Sequence, residues 1–571
     1  MRAIKYLFLI VSSLFLSNGL QAQSQQADLI LVGGKIATMD VAQPEAEAIA
    51  IRDGRILSVG SNRNILKLAG ESTKRLELNG QFVTPGFIEG HAHFLGLGGS
   101  LMNLRLADTK SWDEIVDVVE AAAAVAQPGE WIVGRGWHQS KWNQPPQPNV
   151  EGYPDTASLS KVTPNNPVML SHASGHMSVA NEYAMRLAGV TKDTEPPAGG
   201  EILHDKTGRP IGVFRETAEE LIAQAYAKDE AKKTSAIHAS ETLRAIQLAN
   251  QDCLKNGITS FQDAGTSVEN LKILKAAADR NLLAVRLWVM IRDSNDNLRA
   301  YLPRRKLIGY GNEFLTVRAV KQSIDGALGA HGAWLLAPYS DLPTSSGLNT
   351  TSIESVTETA EIAISNGFQV CVHAIGDRAN REVLDIYEKM FQKYPSSVPR
   401  RWRIEHAQHL HPDDIKRFAE LDVIASMQAV HCTSDAVFVP KRLGIRRSGE
   451  GAYVWKSLLD SGAIVTNGTD APVESVDPIA SFYASVTRKL KGDVTFFPEQ
   501  CMTRMQALRS YTIDCAYAAF EESSKGSIVP GKMADLTVFS KNLLTCPDDE
   551  ILDTKVLHTI VAGKIAYSRK P

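Results

Sequence analysis

The sequence predicts an α/β protein: a (β/α)8 barrel, a small β-sheet unit shared by the two chain ends, and a long insertion after the first barrel strand. Three observations carry this. Eight strand-like runs, mostly separated by helix-like runs, lie between residues 87 and 469. Both chain ends read instead as short strands punctuated by turn dipeptides. Histidines, a lysine and an acid fall at or near the ends of several predicted barrel strands, where this architecture places its chemistry.

The chain has 571 residues, too many for one ordinary domain. Arg2 and Lys5 precede an apolar run at 6–16 and a small, polar stretch at 17–22. This predicts an export signal over 1–22, cleaved after Ala22. The run is too short to span a bilayer comfortably, so no membrane association is expected after cleavage. Residue 23 is Gln, not Cys, which argues against lipid attachment. The mature protein is expected to be secreted or periplasmic. Hydrophobic residues make up 44% and the formal net charge is -3. No basic stripe is present, which argues against a nucleic-acid partner. The 6 cysteines contain no C-x-x-C pair, and most read as small buried hydrophobes.

Residues 23–84 carry short strands around Gly33-Gly34, Asp53-Gly54 and Asn79-Gly80, the last two being hairpin signals. Residues 524–571 repeat the texture, with Ala562-Gly563 as a turn. The two pieces are expected to share one β unit, since chain ends often lie close together. Residues 85–523 form the expected barrel. Its strands are read at 87–88, 257–263, 284–291, 317–324, 369–373, 402–406, 423–427 and 463–469, with helices at 353–365, 377–392 and 412–420. The interval from about 99 to 250, rich in Pro and Trp, does not fit one loop and helix. It is read as an insertion near the active-site mouth.

The chemistry starts at Pro85-Gly-Phe-Ile-Glu-Gly-His91-Ala-His93. Residues i and i+2 of an extended chain point to one side, so His91 and His93 can aim at one point past the first strand. Neutral imidazole is the commonest protein ligand for zinc and its neighbours. Alone, the pair is a weak signal. His373 and His406 end the fifth and sixth strands, Asp470 ends the eighth, and Lys321 lies on the fourth. Each has an ordinary structural reading on its own. Jointly, those readings would all have to hold at once.

This set resembles the amidohydrolase superfamily, and within it family 3, the YtcJ-like metal-dependent hydrolases. The matching pieces are Pro85–His93, Lys321-Gln-Ser-Ile-Asp-Gly326, His373-Ala-Ile-Gly-Asp377, Ile404-Glu-His406 and Gly468-Thr-Asp-Ala-Pro472. Asp325-Gly326 running on to Ala337-Pro-Tyr339, and Gly175-His176 running on to Asn181, also resemble it. The resemblance implies a barrel with a composite β-sandwich from both chain ends. It implies hydrolysis of a C–N bond in an amide, formamide or cyclic amide of a small molecule. It implies one or two divalent ions, with zinc the expected metal, held by His91, His93, His373, His406 and Asp470. Asp470 would double as general base. Lys321 stands where the superfamily often has a carboxylated lysine bridging two metals.

Elementary chemistry agrees. Neutral histidines leave most of a dication's charge in place, so a water there loses its proton near neutral pH, and Asp470 can take it. Glu405 and Asp377 are candidates to orient the histidines. His176 is a candidate substrate contact, with His172 beside it. Trp137, Trp142 and Trp334 are candidate pocket walls, against a core reading for all three. His331 and His431 follow strands four and seven and are candidates for the mouth. The rival readings are ester hydrolysis, a metal-assisted isomerisation, or an inactive ligand-binding relative. A homo-oligomer is left open.

Overall fold

The structure is a computed structural model that describes residues 26–570 other than 107, 140–141, 173–176, 198–199, 304, 330 and 491–493. The segment read as an export signal therefore lies outside the described residues, as does His176.

Eight parallel strands form the barrel: β1 (Phe87–Ala92), β2 (Ile258–Thr266), β3 (Arg286–Ile291), β4 (Leu315–Ser323), β5 (Gln369–Ala374), β6 (Arg403–His406), β7 (Ile424–Met427) and β8 (Val465–Asn467). They pair in chain order from β1 to β8. The ring closes just beyond β8, where Asp470 N–H donates to His91 O at 2.8 Å and His93 N–H donates to Ala471 O at 2.8 Å. Most strand residues are buried, as a parallel sheet covered on both faces requires. The helices start on short polar residues. Thr234, Ser267, Ser294 and Ser352 each accept a backbone N–H of the first turn, satisfying donors the helix itself cannot.

The chain ends build two sheets. The first runs Arg55–Gly60, Ala48–Arg52, Ala27–Val32, Ala69–Glu77. The second runs Lys564–Ser568, Val556–Val561, Leu536–Phe539, Phe82–Pro85, Lys35–Ala37, Glu45–Ala46, so both termini share it. Leu29, Ile49, Ile51, Val83, Leu536 and Ile560 pack in a common core, which makes the unit a composite sandwich. Asp53-Gly54 is a hairpin turn, with Arg52 opposite Arg55. Asn79-Gly80 is not: the strands it joins, Ala69–Glu77 and Phe82–Pro85, lie in different sheets. The dipeptide supplies positive φ at both residues, and here that turns the chain from one layer to the other.

After β1 the insertion forms its own six-stranded sheet, ordered Gly200–His204, Pro210–Glu216, Met177–Ala180, Val168–His172, Ile132–Trp137, Leu104–Arg105. It has its own core around Trp112, Trp137, Leu159 and Val213. The sequence interval ran to about 250, yet the helix Ser235–Lys255 buries Ile246, Ala249, Cys253 and Leu254 in the barrel core. That helix is the barrel's first, between β1 and β2.

A buried pair joins sandwich to barrel. Arg286 at the start of β3 meets Asp535 through Nε at 2.7 Å and Nη2 at 3.1 Å. Burial pushes the Asp535 carboxyl up, but Arg286 outweighs it and holds it below its ordinary value. Removing one partner strands the other's charge, which costs about 3–5 kcal/mol. Asp535→Ala is therefore expected to lower unfolding stability by about that amount, while Arg286→Met with Asp535→Leu recovers most of it. Urea unfolding curves check this. A single mutant within about 1 kcal/mol of wild type would mean the pair does not hold the two units together.

Candidate metal centre

The strand ends converge on one space. The His91 ring centroid lies 4.7 Å from that of His406, which lies 4.5 Å from that of His373. Asp470 Oδ1 is 3.2 Å from His93 Nε2 and 3.5 Å from His91 Nε2. The ligating atoms of His91, His93 and Asp470 all lie within 4.8 Å of one another, as do those of His406, His431 and Asp470. Two overlapping triads thus share Asp470. His91 Nε2, His373 Nε2, His431 Nε2 and Asp470 Oδ1 are buried without a hydrogen-bond partner. Buried polar atoms are ordinarily satisfied, and leaving them bare costs stability. An ion at the shared point satisfies several at once, so the donor set fits a divalent metal.

The orientation of the rings has causes. His91 Nδ1 is tied to Glu405 Oε2, which turns Nε2 inward. Glu405 is gripped by Arg403 through Nε at 2.7 Å and Nη2 at 2.9 Å. Burial works against the Glu405 charge, but Arg403 and His91 hold its carboxyl well below the ordinary value. His406 Nδ1 faces Gln428 Oε1 at 2.7 Å. Gln428 Nε2 donates to Ser426 O at 3.0 Å, which fixes the amide so that its oxygen accepts from the His406 ring. In both cases the partner selects the tautomer and leaves Nε2 for an ion. Burial pushes the His373 imidazole down to about 3 and the His406 imidazole well below its ordinary value. Both rings are therefore neutral, the form that binds metal.

Burial would raise the Asp470 carboxyl, but His91 and His93 beside it hold it well below the usual range. It stays a carboxylate at neutral pH. Lys321 is fully buried, and among the described residues its Nζ has one hydrogen-bond partner, Ala264 O, at 3.5 Å. Burial pushes its ammonium down from the ordinary value, toward the neutral amine that carboxylation requires.

Other candidates fall elsewhere. Trp137 is fully buried in the insertion's own core, stacked on Trp142 with its Nε1 donating to Leu170 O at 2.9 Å; it does not line the cleft at the histidine cluster. Asp377 begins the helix Asp377–Lys393 and accepts the Leu336 N–H at 2.8 Å; it touches none of the histidines. His331 sits after β4 but faces Asp341 at 3.1 Å, against the Tyr339 ring. His431, read from sequence only as a mouth residue, belongs to the second triad. Two acids were given no role from sequence, although Asp325 stood in a matching motif. Asp325 accepts N–H from Trp334 (2.9 Å), Ile375 (3.0 Å) and Gly376 (2.8 Å), and lies 3.4 Å from His373 Nε2. Burial pushes its carboxyl up to about 7, against those hydrogen bonds. Asp263, at the end of β2, accepts the Phe94 N–H at 2.8 Å. A carboxylate near a strand end was the available signal for both.

The cluster floors a cleft of about 390 Å³, whose lining includes His93, Lys321, His373, His406, His431 and Asp470. Hollows of 510 and 560 Å³ on the insertion are larger. Among the described residues, neither holds a group of side chains close enough to share an ion.

A parallel barrel with a histidine and carboxylate cluster at its strand ends defines a metal-dependent barrel hydrolase. A model of the amidohydrolase family matches residues 76–567, and the chain belongs to that family. It is 32% identical over 554 residues to Protein LONG AFTER FAR-RED 3 of Arabidopsis thaliana, covering 95% of this chain and 92% of that one. It is 29% identical to the putative amidohydrolase YtcJ of Bacillus subtilis, over 94% and 99% of the two chains. It is 28% identical to the N-substituted formamide deformylase of Arthrobacter pascens, over 96% and 99%. An uncharacterized metal-dependent hydrolase from Pyrococcus furiosus superposes with a TM-score of 0.72 at 27% identity, over 90% of this chain and 100% of that one.

Partners of this kind, when removed, typically weaken metal binding about 10–100-fold. Glu405→Gln is expected to do so, measured by chelator competition on folded protein, whereas Asp377→Asn is not. Equal affinity in Glu405→Gln and wild type would show that His91 needs no carboxylate to face inward.

Proposed function

We propose that the protein hydrolyses a C–N bond in a small amide, formamide or cyclic amide, using a divalent ion, zinc in this reading. The observation that carries it is the pair of overlapping triads sharing Asp470, built from atoms that otherwise lack partners. The likeness to a relative named as a formamide deformylase favours C–N over C–O cleavage. His91, His93, His373, His406 and Asp470 are the residues to hold the ion, with His431 offering a further nitrogen on the same space. Lys321 is suited to bridge two ions as a carboxylated side chain. When bound, the ion supplies Lewis acidity that lowers the pKa of water and polarises a carbonyl. Asp470, ionised and beside His91 and His93, takes the proton from the attacking water and returns it to the leaving nitrogen.

The test is a panel of formamides, amides, cyclic amides and matched esters, with metal analysis on the same preparations. Release of amine or ammonia is expected. Cleavage of esters alone would sink the C–N assignment. Asp470→Asn keeps the shape but cannot take the proton, so turnover should fall about 10²–10⁴-fold while most metal stays bound. Lys321→Ala should lower the metal content if the lysine bridges two ions. Near wild-type turnover in metal-loaded Asp470→Asn would refute the proton-transfer role. Unchanged metal content in Lys321→Ala would refute the bridge.

Export is part of this reading, on the strength of Arg2, Lys5 and the apolar run behind them. Mass spectrometry of protein from the native host is expected to find an N-terminus near Gln23. A functional chain retaining Met1 would rule this out.

A further inference from the structure

The cleft over the ligand cluster holds a cation for which the described residues provide no acid. Arg292 follows β3 and lines the cleft beside His93, Lys321 and Asp470. The residue is exposed on the cleft wall, and its guanidinium makes one hydrogen bond among the described residues, from Nη2 to Ser323 Oγ at 3.4 Å. Arg286, Arg381, Arg403 and Arg442 each pair with an acid; Arg292 does not.

The side chain is nonetheless placed. Gly265, near the end of β2, has φ +142°, and a Cβ there would lie 3.1 Å from Arg292 Cδ and 3.3 Å from its Cβ. A side chain at this position would be strained by the backbone and would crowd the arginine stem, which lies against β2 here. Ser323, at the end of β4, meets the guanidinium from the other side. Three neighbouring strand ends thus place one positive fork on the cleft wall, where Ser323 contacts it. The cleft also carries acids, Asp435 and Glu474, on the segments after β7 and β8. Asp435 is held by Gln408 Nε2 at 3.1 Å and the Tyr453 hydroxyl at 2.6 Å. Glu474 makes no ion pair among the described residues. Leu328, Ile375 and Phe438 add apolar wall.

We propose that Arg292 and Ser323 form a carboxylate-binding subsite, so that the substrate is a small amide carrying a carboxylate as well as the scissile bond. The substrate class rests on the C–N reading above; the subsite itself does not. A planar guanidinium matches a carboxylate through two parallel hydrogen bonds, and the serine hydroxyl adds a donor. Asp435 and Glu474 repel the same group, which disfavours the reversed orientation.

The full-length, metal-loaded wild type, Arg292→Gln and Arg292→Lys are compared on matched amides, one bearing a free carboxylate and the other its methyl amide. Wild type is expected to prefer the carboxylate by about 10- to 100-fold in kcat/KM, mostly through KM, as a charge-assisted pair gives. That ratio should fall to near parity in Arg292→Gln and be partly kept in Arg292→Lys. Calorimetric titration with succinate and with succinamide needs no turnover. Succinate binding should weaken in Arg292→Gln by a similar factor, and succinamide binding should not. If both amides are cleaved equally by wild type, or the preference survives in Arg292→Gln, the subsite is overturned and C–N hydrolysis stands. If no amide is cleaved, the reaction reading falls and the titration alone decides: weaker succinate binding in Arg292→Gln keeps the subsite, and undiminished or absent binding overturns it.

Discussion

The buried carboxylate of Glu405 is the constraint on which the centre rests. It is fully buried, and an ionised acid survives there only if paired and hydrogen-bonded. Arg403, equally buried, supplies two contacts to it. The same guanidinium reaches Gln262 Oε1 on β2, Gly90 O on β1 at 2.7 Å and Ser426 Oγ on β7 at 2.6 Å. One cation on β6 thus ties together β1, β2 and β7. A network so fully satisfied rigidifies its surroundings, and a partly satisfied one would be a liability. The barrel interior is therefore built around this pair as much as around its apolar side chains.

From Glu405 the order passes to the ligands. Its second oxygen is spent on His91 Nδ1, which aims the ring and makes the free nitrogen more basic. His406 is aimed by a neutral amide instead, so only one of the two rings carries a charged support. Glu89, two residues before His91, accepts Thr469 N–H at 2.8 Å and Thr469 Oγ at 3.1 Å. It thereby locks β1 to the turn after β8, where Asp470 sits. Burial pushes the Glu89 carboxyl up to about 8, so at neutral pH it braces this junction without adding a second negative charge beside Asp470.

Much of the fold was legible because strands and helices leave periodic, turn-bounded patterns. All eight barrel strands are visible as turn-bounded, strand-like runs, and His91, His93, His373, His406 and Asp470 stand at or just beyond strand ends that can be located. What failed, failed for reasons of tertiary context. Asn79-Gly80 marks a turn, but a turn does not say whether its flanking strands pair. The helix Ser235–Lys255 continues the insertion in sequence, and only its buried face assigns it to the barrel. Trp137 reads as a pocket wall or, more often for such aromatics, as core, and the insertion has a core of its own to fill. The place of His431 after β7 was read from sequence, but its grouping with His406 and Asp470 is visible only in three dimensions, as is the stem of Arg292 against Gly265. Neither lies in a spacing that chemistry alone would single out.

The candidate ligand positions also carry backbone strain. His406 has φ +73° and Asp470 has φ +58°, a region that costs a non-glycine residue about 1–3 kcal/mol. Ala407 follows at φ +43°, so the chain leaves β6 through two consecutive left-handed residues. The turn keeps His406 facing the centre and brings Gln408 round to the same cleft. At the other end of the ring, the Asp470 N–H bond to His91 O holds the second strained residue against β1. The surrounding network must over-determine both conformations for them to persist. Strain and bare polar atoms therefore coincide at this centre. An ion that satisfies those atoms binds the folded chain and not the unfolded one, so its binding free energy adds to folding stability. Metal retention and barrel integrity are then two readings of the same equilibrium, and a change that loosens Glu405, Gln428 or Glu89 acts on both.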